Sequence, residues 1–204
     1  PPFQLGQQAL QPGISGHHQM RGAYAALRGV QGGLRSALHA GYRRILVDHH
    51  AARARRIGTH GLGREGLQMR GFAMRMFHLG MPVGVVGDMT MPPLGPDDVF
   101  LVSSGPGETT TVLTLMRVAR QAGATIVLVT AEPRGSAAGL ADLTLLIPAQ
   151  TMASDQGSAT TSVLPMGSAF EGAMFVLFEV MVLKLKAILG VSAEAMRERH
   201  TNME

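Results

Sequence analysis

From Ile57 onward the chain alternates short continuous apolar runs with longer stretches whose apolar residues recur every three or four positions. Ile57–His60, Val83–Val86, Val99–Val102, Thr125–Thr130 and Leu143–Ile147 have the length and composition of buried strands. Between them, Leu67, Gly71, Met74 and Phe77–His78 fall on a helical spacing, with Gly80 placed to end that helix. Val112, Leu115, Met116 and Ala119 mark a second helix. Met89–Pro96, with three prolines, reads as a loop, and Glu132–Leu140 as a turn and a short helix. Ala149–Val163 is polar and reads as a loop. Gly167–Arg199 carries one long helix or two abutting ones, broken near Gly190. Strands and helices at this spacing predict an α/β fold, a three-layer α-β-α sandwich with a central parallel sheet and a long C-terminal helix.

Upstream the pattern is helical without strands. Met20, Tyr24, Leu27, Val30, Leu34 and Leu38 recur at helical spacing over His17–Ala40, weakened by Gly29, Gly32 and Gly33. Tyr42–Arg56 reads as another helix, and Pro1–Gly16, rich in Gln, Gly and Pro, as a flexible arm. The expected organisation is an arm over 1–16 and a single domain over 17–199, with a helical part at 17–56 and a core at 57–199.

Two glycine-rich turns stand between a strand and a helix. One is Gly61-Leu62-Gly63-Arg64-Glu65-Gly66; the other is Ser103-Ser104-Gly105-Pro106-Gly107, followed by Glu108 and Thr109–Thr111. Glycines let the backbone approach a ligand, and the first N–H groups of a helix are free to point at an anion. Ser104 and Thr109–Thr111 add hydroxyl donors. Any tight strand-to-helix turn shares this look, so the pattern alone leaves structural and ligand-binding readings open. In a parallel sheet both turns fall at the carboxyl ends of strands, where ligands sit.

Composition removes several classes. The 204 residues, 46% hydrophobic, suffice for one sizeable core. With no cysteine there are no disulfides, thiolate metal sites or cysteine nucleophile, which is compatible with a cytoplasmic protein. The net charge is +4, but two Tyr, seven Phe and no Trp leave little surface for stacking on bases, and no helix-turn-helix is visible, which disfavours nucleic acid as a partner. The most apolar run, Ala173–Leu183, contains Glu179 and is followed by Lys184 and Lys186, too short and too charged for a membrane span. No signal peptide is visible. His49-His50 invites a metal reading, but neighbours in a helix diverge and only residues three or four apart share a face. No metal site is therefore expected. Arg43, Arg44, Arg53, Arg55 and Arg56 read as a solvated face.

Three stretches together carry a resemblance: GLGREG continuing to FAMRMFHLG, then SSGPGET, then LPMGSAFEGAMFVLFE. In that order they resemble the sugar isomerase (SIS) domain family, and most closely its 6-phospho-3-hexuloisomerase branch, over roughly Arg56 to Lys186. The resemblance implies an SIS-type, flavodoxin-like fold and an aldose–ketose isomerase that works on a phosphosugar, such as 3-hexulose 6-phosphate and fructose 6-phosphate, through an enediol. It implies a homo-oligomer, dimer or tetramer, and no cofactor. Gly61, Gly63 and Arg64 then face the sugar phosphate, with Glu65 beside them, and Ser103, Ser104, Gly107 and Thr109 form the second loop. Glu171 matches the glutamate that moves the proton, and His78 a histidine near the active site reaching across a subunit boundary. Such chemistry needs a carboxylate base and a proton shuttle, and no metal where a cation or donor steadies the oxyanion. The plain alternatives are a helix-opening Glu171 in a dipole contact and a packed or capping His78.

Two positions depart from the family pattern. Arg64-Glu65-Gly66 stands where the family has Arg-Ser-Gly, and Gly105-Pro106-Gly107 where it has Gly-Ser-Gly. One hydroxyl has become a carboxylate and another a proline, which offers neither hydroxyl nor N–H. Glu65 opens a helix whose dipole favours its charge, which places it in the anion site itself. Three readings follow: a phosphosugar isomerase, an isomerase for a sugar without phosphate, or a sugar-binding module without turnover.

Overall fold

The computed structural model describes residues 51–157 and 162–203. The expected arm, the helix over His17–Ala40, His49-His50 and most of Tyr42–Arg56 lie outside these residues. Near the end of that last stretch the chain has left helical conformation by Ala54. Arg55 there donates its backbone N–H to the Asp97 carbonyl and grips buried Asp98 through two guanidinium bonds of 3.2 and 3.0 Å.

The core is a five-stranded, wholly parallel sheet of β1 (Ile57–His60), β2 (Val83–Val85), β3 (Val99–Ser103), β4 (Thr125–Thr130) and β5 (Leu143–Leu146). The strand order is β2-β1-β3-β4-β5, so the direction of winding reverses between β1 and β3. The helices are α1 (Gly63–His78), α2 (Thr110–Gln121), α3 (Ser136–Leu140), α4 (Ser168–Leu189) and α5 (Ala193–Glu198). Side chains alternate across the sheet. Val99, Leu101, Val127 and Val129 meet α1 and α4, where Phe72 and Phe178 stack with ring centroids 4.4 Å apart. Phe100, Val102, Ile126 and Leu128 meet α2 and α3 on the other face. The three-layer sandwich expected from the pattern is what forms.

Gly190, at φ 63°, ends α4 in the left-handed conformation that glycine adopts without strain, and α5 follows. No helix among the described residues is long and apolar enough to cross a membrane.

Candidate functional site

The carboxyl ends of β1 and β3 lie side by side where the strand order reverses, and the starts of α1 and α4 converge on them. The β1–α1 turn is tight for a packing reason. A Cβ on Gly66 would lie 2.6 Å from the Gly61 carbonyl oxygen, and one on Gly61 would lie 3.1 Å from the Gly66 nitrogen. Gly63 has φ 54° and open space around its Cα. Gly61 and Gly66 thus let the chain fold back on itself, while Gly63 supplies the left-handed step into the helix.

Arg64 and Glu65 leave this turn in different directions, as adjacent helical residues do. The Arg64 guanidinium reaches the start of α4. It pairs with Glu171 Oε1 at 3.2 Å, donates to Ser168 Oγ at 3.1 Å and also donates to the Met166 carbonyl. Pro165–Gly167, a single turn of 3-10 helix, presents that carbonyl, and Gly167 packs backbone to backbone on Thr151 and Met152, where no side chain fits. Glu171 is 13% exposed. Its Oε1 is taken by Arg64, while Oε2 is buried with no hydrogen-bond partner. A buried carboxylate oxygen facing no donor is costly in a resting structure and is available to a substrate proton.

Glu65 crosses to the β3–α2 loop. Both carboxylate oxygens accept from the Gly105 N–H, at 3.0 Å each, and Oε2 also accepts from the Ser103 hydroxyl. Burial pushes the Glu65 carboxyl above its usual value, with the negative charge of Glu171 acting in the same direction. Ser103, Gly105 and the Arg64 charge pull it back only in part. The helix dipole that favours its charge is outweighed by loss of water.

Ser104 and Thr109 face each other, hydroxyl to hydroxyl, at 3.0 Å. Thr109 is the residue before α2, yet its side chain makes no capping bond, so its hydroxyl serves the loop. Gly107, at φ 73°, packs on Gly135, and its carbonyl accepts from Ala137 N–H at 2.9 Å. The nearby Glu108 carboxyl is held below its usual value by the Ser136 side chain first and then by the Ser136 N–H, which donates to it at 2.6 Å. This half of the loop is tied to α3.

The fold therefore gathers Arg64, Glu65, Ser103 and Glu171 into one place through the Arg64–Glu171 and Glu65–Ser103 contacts, with Gly61 and Gly63 in the turn that carries Arg64 and Glu65. Ser104 and Thr109 continue that loop toward α2, and Gly107 turns toward α3. His78 is not among them. It ends α1, about 20 Å along the helix from Arg64, with its ring buried 5.2 Å from that of His200. Ser168, the Met166 carbonyl and the Gly105 N–H are partners that residue-type reasoning missed, because two of the three are backbone groups. His60 was missed as well. It closes β1, is buried with Nε2 unpartnered, and burial lowers its pKa so that the neutral ring is favoured. A polar residue ending a buried strand at the carboxyl edge of the sheet was the available signal.

No group of three or more metal-ligating side chains occurs among the described residues.

The SIS domain model matches residues 52–176, more than half of the chain. The chain belongs to the SIS domain family. Over 159 residues this SIS domain is 33% identical to the 3-hexulose-6-phosphate isomerase of Bacillus subtilis strain 168, covering 78% of this chain and 85% of that one. It is 40% identical over 149 residues to the Mycobacterium gastri protein of the same name, covering 73% and 74%. A Methanococcus jannaschii crystal structure, from which a molecular function of 3-hexulose-6-phosphate isomerase was inferred, superposes with a TM-score of 0.78 at 26% identity, covering 89% of this chain and 99% of that one. Within this SIS domain the charged pair Arg64-Glu65 sits at the reversal of strand order, one residue bound to α4 and the other to the β3 loop.

Proposed function

We propose that this SIS domain is a phosphosugar isomerase that moves a carbonyl between adjacent carbons, with 3-hexulose 6-phosphate and fructose 6-phosphate as the substrate pair. The Glu171 carboxylate takes the proton from the carbon next to the carbonyl, leaving an enediol, and returns it to the former carbonyl carbon. The hydroxyl proton passes between the two oxygens in the opposite sense. The observation that carries this reading is Glu171 itself: one oxygen fixed by Arg64 at 3.2 Å, the other buried and unpartnered at the carboxyl edge of the sheet. Arg64 is then a positioning residue as well as a cation beside the base that can face a developing oxyanion. The relatives named as isomerases support the same substrate class.

The working form in this proposal is a cytoplasmic homo-oligomer. The exposed apolar side chains of α1 (Leu67, Met74, Phe77) and α4 (Phe175, Leu183) support assembly, and His78 can serve a site of this kind only from a second copy. Incubation with fructose 6-phosphate in D2O tests the chemistry: deuterium enters the carbon skeleton as product forms, and Glu171→Gln lowers that rate by about 10²–10⁴ while the melting curve stays close to wild type. Full turnover in Glu171→Gln removes Glu171 from the mechanism, and absence of both exchange and turnover in the wild type removes the isomerase reading.

A further inference from the structure

Glu65 stands where an external anion would stand. It takes the Gly105 N–H on both oxygens and the Ser103 hydroxyl on one, at the carboxyl end of β3. Gly105 makes the space: a Cβ there would lie 2.9 Å from Glu65 Oε1 and 2.9 Å from Thr151 Cγ2. Helix start chemistry alone does not call for this, because a first-turn glutamate gains its dipole contact while pointing into water.

We propose that Glu65 is a specificity-determining residue, a tethered carboxylate that competes with the phosphate of a phosphosugar for the donors of the β3–α2 loop. This rests on the function proposed above and concerns the same site. A phosphate monoester brings close to two negative charges and seeks the N–H and O–H donors that a carboxylate seeks. With Glu65 in place, Gly105 and Ser103 are already satisfied, and a like charge lies beside whatever binds next to them. The loop retains the Ser104–Thr109 hydroxyl pair and the first amides of α2. Arg64, the adjoining cation, is engaged by Glu171, Ser168 and the Met166 carbonyl. The phosphate therefore binds fully only when Glu65 leaves the loop. Sugar hydroxyls meet no such opposition, since a carboxylate accepts from them.

Titration calorimetry on the full chain decides it, with fructose 6-phosphate, inorganic phosphate and unphosphorylated fructose as probes. Glu65→Gln removes the charge at constant size, and Glu65→Ser removes the reach as well, so a packing defect in one does not obscure the other. Both variants are expected to bind the two phosphates about tenfold more tightly or better, with fructose changed by less than about twofold, since only the charged probes feel the like charge. Equal phosphate affinity in wild type and both variants overturns the competition and leaves the isomerase reading intact. Equal tightening toward fructose overturns it too, because charge is then not the cause. Tighter phosphate binding in variants that, like the wild type, never isomerise fructose 6-phosphate upholds the competition and rejects the isomerase reading.

Discussion

Removing the Arg64 guanidinium tests whether the tie between α1 and α4 orients the base. Arg64 Nη2 and Glu171 Oε1 lie 3.2 Å apart, and at an effective dielectric of about 20 that separation corresponds to about 5 kcal/mol of raw attraction. Solvent reduces it, because the Arg64 side chain is 39% exposed while that of Glu171 is 13% exposed. A coupling of about 1–2 kcal/mol is what survives screening and desolvation in a pair of this exposure. The Ser168 and Met166 bonds add to the cost of Arg64→Ala without entering the coupling to Glu171. The assay is a double-mutant cycle on urea unfolding with Arg64→Ala, Glu171→Gln and the double variant. Arg64→Ala is expected to cost about 1–3 kcal/mol, which in a chain of this size lowers Tm by about 2–4 °C per kcal/mol. The same variant lowers turnover because Glu171 loses its fixed oxygen, and Arg64→Lys restores part of both. Single-variant effects that add to within about 0.3 kcal/mol refute the tie, and so does unchanged turnover in Arg64→Ala.

Glu65 makes a pH-dependent contribution to stability with a definite sign. Its carboxyl is raised above 4.5, by burial first, so the protonated form is the one that favours folding. That contribution is complete below the unfolded value and is lost as pH rises through the folded one. Glu65→Gln should therefore melt above wild type at pH 7, with the difference shrinking toward pH 4.5; a difference independent of pH, or of opposite sign, contradicts the burial argument. For His78, refolding a mixture of His78→Ala and Glu171→Gln chains is expected to restore about a quarter of full activity, the share of sites that receive both intact residues from two copies. No recovery, with subunit exchange shown separately, returns His78 to a packing role beside His200.

Much of the fold was legible because a sheet buried on both faces leaves a simple record. Val99–Val102 and Thr125–Thr130 are unbroken apolar or β-branched runs, and Gly190 marks a helix end by a backbone conformation that few other residues adopt. The order of strands left no such record, since β1 and β3 look alike whichever neighbour they pair with. Glycine was ambiguous for a physical reason. The same absence of a Cβ lets Gly61 and Gly66 pack on each other, Gly107 pack on Gly135, and Gly105 admit the Glu65 carboxylate. Only the last of these concerns an anion. The destinations of Arg64 and Glu65 depend on distances between elements far apart in the chain, at 104 and 40 residues of separation, and no local pattern encodes them.

The way these two side chains part has a consequence for how the site divides its tasks. Arg64 acts on α4, and through it on Glu171, the one carboxylate among the described residues with an unpartnered buried oxygen. Glu65 acts on the β3 loop, through one backbone N–H and one hydroxyl. Because the two leave the same turn on different sides, a change at position 65 alters the charge that a ligand meets without breaking the bond between Arg64 and Glu171. Base orientation and anion recognition are thus adjustable separately on a single helical turn, whose tightness is secured by Gly61 and Gly66 and owes nothing to either charge. On this arrangement the proton transfer can persist while the preferred substituent on the sugar shifts, because the residue that sets that preference is not the one that holds the base.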